Sequence, residues 1–320
     1  MKVSMIWLFD DSADNEKTFS CLRRELPEVE STELILYADE EIESKYRDAL
    51  RDFQYRLCVR GEMSDAACYN DAQQYAEGEL VTAIHSGDTF SEGSIKAIIK
   101  EADRYSSETI FMLCKVMPDG REGAFSSSQK LDRPLVVHLD KDFAHYPFYF
   151  GGTFVRSDHY KKHPFREETG LEFEQEYFLR LCMEKKKVVF CPNDKYYSEQ
   201  AREGDFTFFR NIYEKAWYEE SFDKFWIPFL CSIKEKKGSI PYFVQYHVMF
   251  TIYNRLSSNW NNRNKHVITE GKEEAVLEAI GRTLQYIDDL VIFNGHRVKE
   301  SNTIDSIKWI YGILKKGPEF

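Results

Sequence analysis

Along the first hundred residues the apolar positions switch repeatedly between unbroken runs and helical spacing. Residues 3–9 form a continuous apolar run, as expected of a strand covered on both faces. In residues 14–26, Phe19, Leu22 and Leu26 fall on one side of a helix. The same alternation predicts strands over residues 33–37, 55–59 and 80–84. It predicts helices over residues 41–53, 65–75 and 94–105. Strand and helix in strict alternation imply an α/β fold whose sheet is mostly parallel, with helices on both faces. Ligands of such sheets sit beyond the carboxyl ends of the strands, which brings Asp10, Asp39 and residues 85–88 to one rim.

The pattern then changes. Residues 109–117 and 135–139 read as strands joined by a polar loop, and residues 148–156 carry Gly151 and Gly152 among aromatics. An amphipathic helix over residues 171–184 and a strand over 187–191 close this part. Past residue 205 the strand signals fade, and helices are predicted over residues 208–222, 228–235, 241–256, 273–292 and 302–314. The chain thus divides into an α/β domain, residues 1–205, and a helical C-terminal appendage, residues 206–320. The last six residues lack a structural terminator and read as an imposed boundary, so the chain is expected to be a piece of a longer protein.

Composition narrows the function. A net charge of −11 argues against nucleic acid as the partner, because phosphate binding needs a basic surface. Seven scattered cysteines without paired spacing read as reduced thiols of a cytoplasmic protein. No apolar stretch approaches the roughly 20 residues of a membrane span. Peripheral association with the inner face of a membrane, and homo-oligomers formed through the C-terminal helices, stay open.

Residues 60–91, RGEMSDAACYNDAQQYAEGELVTAIHSGDTFS, carry the chemistry. A helix rich in small residues bears Asn70 and leads into Ala76, Gly78 and Glu79; an apolar strand follows and ends in His85-Ser86-Gly87-Asp88. This order resembles the core of the family 2 glycosyltransferases of GT-A fold, and the likeness extends over residues 1–205. It implies transfer of a sugar from a nucleotide-diphosphate donor, most simply a UDP-sugar, with inversion. The acceptor implied is a bacterial surface glycan, such as capsule or teichoic acid, or its lipid-linked precursor. By the same resemblance Asp10, Asp39, Asn70, His85, Asp88 and Arg202 bind the nucleotide sugar, and Gly151 and Gly152 line the acceptor side. Family members hold Mn²⁺ or Mg²⁺ through an acidic tetrad; here only Asp88 keeps its carboxylate, with His85 as the added ligand, which favours Mn²⁺.

The helix start GLEFEQEYFLRLC occupies the place of the family's base, with Glu174 as the expected catalytic carboxylate and Glu172 as the alternative. Two bland readings stand beside these. His85 and Asp88 would merely order a loop, and Glu172, Glu174 and Glu176 would form the wetted face of an amphipathic helix. The altered tetrad also leaves room for a non-catalytic GT-A module that binds nucleotide sugar or glycan, or scaffolds a neighbouring transferase domain. A nucleotidyltransferase would need a glycine-rich basic loop after the first strand, which residues 9–17 do not offer.

Overall fold

The computed structural model describes residues 2–11, 13–26, 32–116, 133–141, 147, 149–198, 214–260, 267–293 and 315. The chain splits into two compact units, Met1–Phe206 and Thr207–Phe320.

In the first unit, strands β1 (Val3–Leu8), β2 (Thr32–Ala38), β3 (Tyr55–Val59) and β4 (Leu80–His85) pair in parallel, in the order β3-β2-β1-β4. Every residue of β1 is buried, which is why it is apolar at every position but Ser4. Helices α1 (Asn15–Glu25), α2 (Glu40–Lys45), α3 (Arg47–Leu50) and α4 (Asp65–Ala72) provide the crossovers.

Residues 41–53, expected as one helix, are broken at Tyr46. Its hydroxyl donates to Asp11 Oδ1 at 2.6 Å, and its ring packs against Phe9 at 5.0 Å and Phe19 at 5.8 Å. Tertiary packing of one aromatic therefore outweighs local helical spacing.

Beyond β4 the sheet becomes mixed. The hairpin-like strand β5 (Thr89–Phe90), helix α5 (Ser94–Arg104) and strands β6 (Ile110–Val116), β7 (Leu135–His138) and β8 (Thr153–Arg156) precede helix α6 (Ser157–Lys162). A 3₁₀ segment, Glu167–Glu172, then runs into α7 (Phe173–Lys185) and strand β9 (Lys187–Tyr197). Strand β8 inserts antiparallel between β4 and β6, and β9 pairs with β6, β5 and β7. β9 is six residues longer than the apolar run predicted. Its register slips between Cys191 and Lys195, where Pro192 has no N–H to give the ladder, and it then resumes to Tyr197.

The second unit is helical throughout its described residues. It holds α8 (Lys215–Glu219), a π-turn (Phe222–Trp226), α9 (Ile227–Lys237), α10 (Tyr242–Trp260), α11 (Glu273–Leu284) and α12 (Asp289–Phe293). Arg255 lies in its core, with the guanidinium 4.1 Å from the Trp217 ring and 4.6 Å from Phe222, donating to Trp217 O and Ser221 Oγ. The expected helix over residues 273–292 breaks because Gln245 of α10 clamps Asp288. Its amide donates to Asp288 Oδ2 at 3.0 Å and accepts from Asp288 N at 2.7 Å. The helix expected over residues 302–314 lies outside the described residues. Along α10, Phe243 is buried while Tyr242 is exposed.

Candidate functional site

The parallel strands β1, β2 and β4 end side by side, so their C-terminal residues meet. Asp10 N–H donates to Ser86 Oγ at 2.9 Å and Trp7 Nε1 donates to the same oxygen at 3.1 Å, tying the end of β1 to the loop after β4. Asp39 follows β2, exposed, at the N-terminus of α2.

The loop after β4 is a tight turn closed by Asp88 N–H donating to His85 O at 3.1 Å. Gly87 occupies it with φ +88°, a conformation costly for side-chain-bearing residues. Thr18 of α1 fixes the turn from below, accepting from Gly87 N at 2.8 Å and donating to Asp88 O at 3.0 Å. The glycine thus belongs to the local backbone geometry of this turn.

Asp88 is buried, 3 % exposed, and its Oδ2 accepts from Tyr196 Oη at 2.6 Å. His85 Nδ1 lies 3.5 Å from that carboxylate oxygen, buried and without a hydrogen-bond partner, while its Nε2 is 3.1 Å from Tyr69 Oη. An orphaned imidazole nitrogen facing a carboxylate oxygen is a donor pair that fits Mn²⁺, with the remaining positions left to donor oxygens.

Tyr196 explains the glycine pair. A Cβ on Gly151 would come within 2.6 Å of Tyr196 Oη, and one on Gly152 within 2.6 Å of Tyr196 Cβ. Gly152 also has φ +73°. The two residues expected on the acceptor side therefore clear the path by which Tyr196 crosses from β9 to Asp88.

The acidic start of α7 is not wetted. Glu172, Glu174 and Glu176 are 1 %, 7 % and 1 % exposed, which overturns the reading of a solvated face. Glu176 is neutralised by Arg180, whose Nε and Nη2 donate to its two oxygens at 2.9 and 3.1 Å, and by Arg166 at 3.2 Å. Among the described residues Glu174 has no such ion pair. Its Oε1 accepts from Phe150 N–H at 2.9 Å. Burial raises its pKa above the carboxylate range, opposed by His85, the Phe150 N–H and Lys115.

Lys115, near the end of β6, feels the charges of both Asp88 and Glu174, which oppose the lowering of its own pKa by burial. Its Nζ sits 3.8 Å from the Tyr149 ring centroid and 5.6 Å from that of Tyr196. Sequence reasoning missed both Lys115 and Tyr196. A single lysine inside the apolar run IFMLCKV was the available signal for the first; Tyr196 had none.

Asn70 clamps the backbone leading to α7, donating to Phe165 O at 2.9 Å and accepting from Phe165 N at 2.7 Å. Arg202 lies outside the described residues. The rim thus brings His85 and Asp88 together, couples them to Glu174 through Lys115, and leaves Asp39 at the far end of β2.

No family model matches the chain. Over 263 residues it is 23% identical to the minor teichoic acid biosynthesis protein GgaB of Bacillus subtilis (strain 168), a match covering 81% of this chain and 28% of that protein. The chain therefore spans less than a third of that relative. Among solved structures it superposes on S. aureus TarS residues 1–349 in complex with UDP-GlcNAc, with a TM-score of 0.67 and 17% identity over 98% of this chain and 92% of that one. It also superposes on the mannosyltransferase PcManGT of Pyrobaculum calidifontis, in complex with GDP-Man and Mn²⁺, with a TM-score of 0.54 and 11% identity over 98% and 82%. At these identities the structural likenesses establish the GT-A fold.

Proposed function

We propose that this chain, a family 2 glycosyltransferase of GT-A fold, moves a sugar with inversion from a nucleotide-diphosphate donor to a surface polymer of the teichoic-acid kind or its lipid-linked precursor. A UDP-sugar is the donor we favour, given that TarS is seen with UDP-GlcNAc. The observation that carries the reading is Glu174. It is a buried carboxylate with no ion pair among the described residues, fixed by a backbone N–H and electrostatically coupled to His85 of the turn after β4.

In this reading Asp10 and Asp39 hold the nucleoside, and Arg202 faces the diphosphate as a bidentate cation. Glu174 takes the proton of the acceptor hydroxyl as its oxygen bonds to the anomeric carbon, and the bond to the diphosphate oxygen breaks. Its raised pKa makes it a stronger base than a solvated glutamate. Glu172 is the alternative base. Asp88 and His85 would hold a divalent cation, Mn²⁺ in preference to Mg²⁺, which when bound would offset charge on the leaving diphosphate. Lys115 adds positive charge that acts on both Asp88 and Glu174. We assign residues 1–205 to catalysis and residues 206–320 to a helical appendage.

The tyrosine already bonded to Asp88 favours a second reading, a module that binds donor without turning it over. Calorimetry with UDP-, GDP- and CDP-sugars with and without Mn²⁺, paired with an assay of free nucleotide release, separates the two. Metal-dependent release lost in Asp88→Asn supports the enzyme; tight donor binding with no release on any glycan acceptor supports the module.

A further inference from the structure

Three side chains outside that site converge at the far end of α7. His159 in α6, His163 just after it, and Glu184 in the last turn of α7 place one ligand atom each within 4.8 Å of one another. His163 Nε2 lies 3.2 Å from Glu184 Oε2. Two ligand atoms of one tetrahedral ion sit about 3.3 Å apart, given bonds of about 2.0–2.2 Å. The two imidazole rings stack, with centroids 6.2 Å apart and planes 12° from parallel. His159 Nδ1 is buried with no hydrogen-bond partner.

We propose that His159, His163 and Glu184 bind one transition-metal ion of the zinc, cobalt or nickel kind, and that this ion staples α6 to the end of α7. Two imidazoles and a carboxylate make a borderline, nitrogen-rich ligand set that Mg²⁺ does not favour. It contrasts with the oxygen-rich surroundings expected of a diphosphate-bound cation at Asp88. Glu184 follows Glu174 by ten residues on one helix, about 15 Å along its axis at about 1.5 Å per residue.

Lys162 and Lys185, with Arg180 beside His163, surround the cluster with positive charge, and Lys185 Nζ is 2.8 Å from Glu184 Oε1. These three cations oppose a dication, and Glu184 together with Asp158, 3.6 Å from His159 Nε2, offsets them. Arg180 links the cluster to the base helix. It lies 3.4 Å from His163 Nδ1, donates to Pro164 O at 2.7 Å and pairs with Glu176.

The test is Co²⁺ titration of the full chain followed by its visible d–d bands, alongside calorimetry and thermal melts with Zn²⁺. One ion is expected at this cluster, separate from any ion taken up at His85 and Asp88, and without the thiolate charge-transfer band that ligation by any of the seven cysteines would bring. The melting temperature should climb with Zn²⁺ concentration, as linkage requires. His159→Gln and His163→Gln should each weaken binding by more than the roughly 10–100-fold typical of an outer-shell loss. Glu184→Gln, at an exposed position, serves where a histidine variant fails to fold, and Asp88→Asn should leave this ion in place. Absence of Co²⁺ and Zn²⁺ binding, a thiolate band, or binding lost in Asp88→Asn but kept in the histidine variants overturns the proposal.

Discussion

The turn after β4 and the first turn of α7 both supply carboxylates to one electrostatic neighbourhood, yet they are built in opposite ways. In the turn a single carboxylate, Asp88, is held by side chains from distant strands and helices: Tyr196 from β9, with Thr18 from α1 securing its backbone. At the start of α7 three carboxylates crowd within five residues, and the charge of one of them, Glu176, is met locally by Arg180 one helical turn on and Arg166 just upstream. The difference teaches where reactivity is stored. Glu176, fully paired, is structural. Glu174, buried with no ion pair among the described residues and accepting from a backbone N–H, has the raised pKa that the proposed base role calls for.

The largest effect expected from breaking this contrast is on Glu174. Glu174→Gln should preserve donor binding while lowering turnover by about 10²–10⁴-fold, the usual worth of a general base. Glu176→Gln should instead lower the melting temperature, and equal loss of turnover in both variants would erase the distinction.

Tyr196→Phe comes next. It leaves Asp88 Oδ2 buried without its 2.6 Å partner, and the expected cost is about 1–3 kcal/mol in denaturant unfolding. Weaker Mn²⁺-dependent donor binding should accompany it.

A smaller loss is expected of Gly87→Asp, which restores the family's carboxylate by composition. The positive φ of Gly87 should make this variant less stable by about 1 kcal/mol or more, with no gain in metal affinity. A tighter Mn²⁺ site in that variant would show that charge alone, and not turn shape, separates this loop from its relatives.

The smallest change concerns pH. Turnover should rise with pH as Glu174 loses its proton, and Lys115 holds that pKa down against burial. Lys115→Met removes the cation, so the acidic limb of the kcat profile should move to higher pH. A shift to lower pH, or none, would remove Lys115 from the coupling between the two carboxylates.

Much of the fold was legible because its signals are local. The buried run of β1 and the strand–helix alternation to α5 follow from covering a parallel sheet on both faces, and Gly78 is demanded by a Cβ that would meet Ser4 N at 2.4 Å. The candidate residues at strand ends, Asp10, Asp39, His85 and Asp88, followed from the same topology. Environment was not legible. The period of α7 allowed Glu172, Glu174 and Glu176 to be wet, and only the assembled tertiary structure buried them. Nothing local said that Gly151 and Gly152 make room for Tyr196, or that Lys115 and Tyr196 reach the Asp88 turn. Backbone pattern is set by neighbours a few residues apart, which the sequence states. The partners of Glu174 and Asp88 come from groups 24 and 108 residues away, and those meet only when the sheet is assembled.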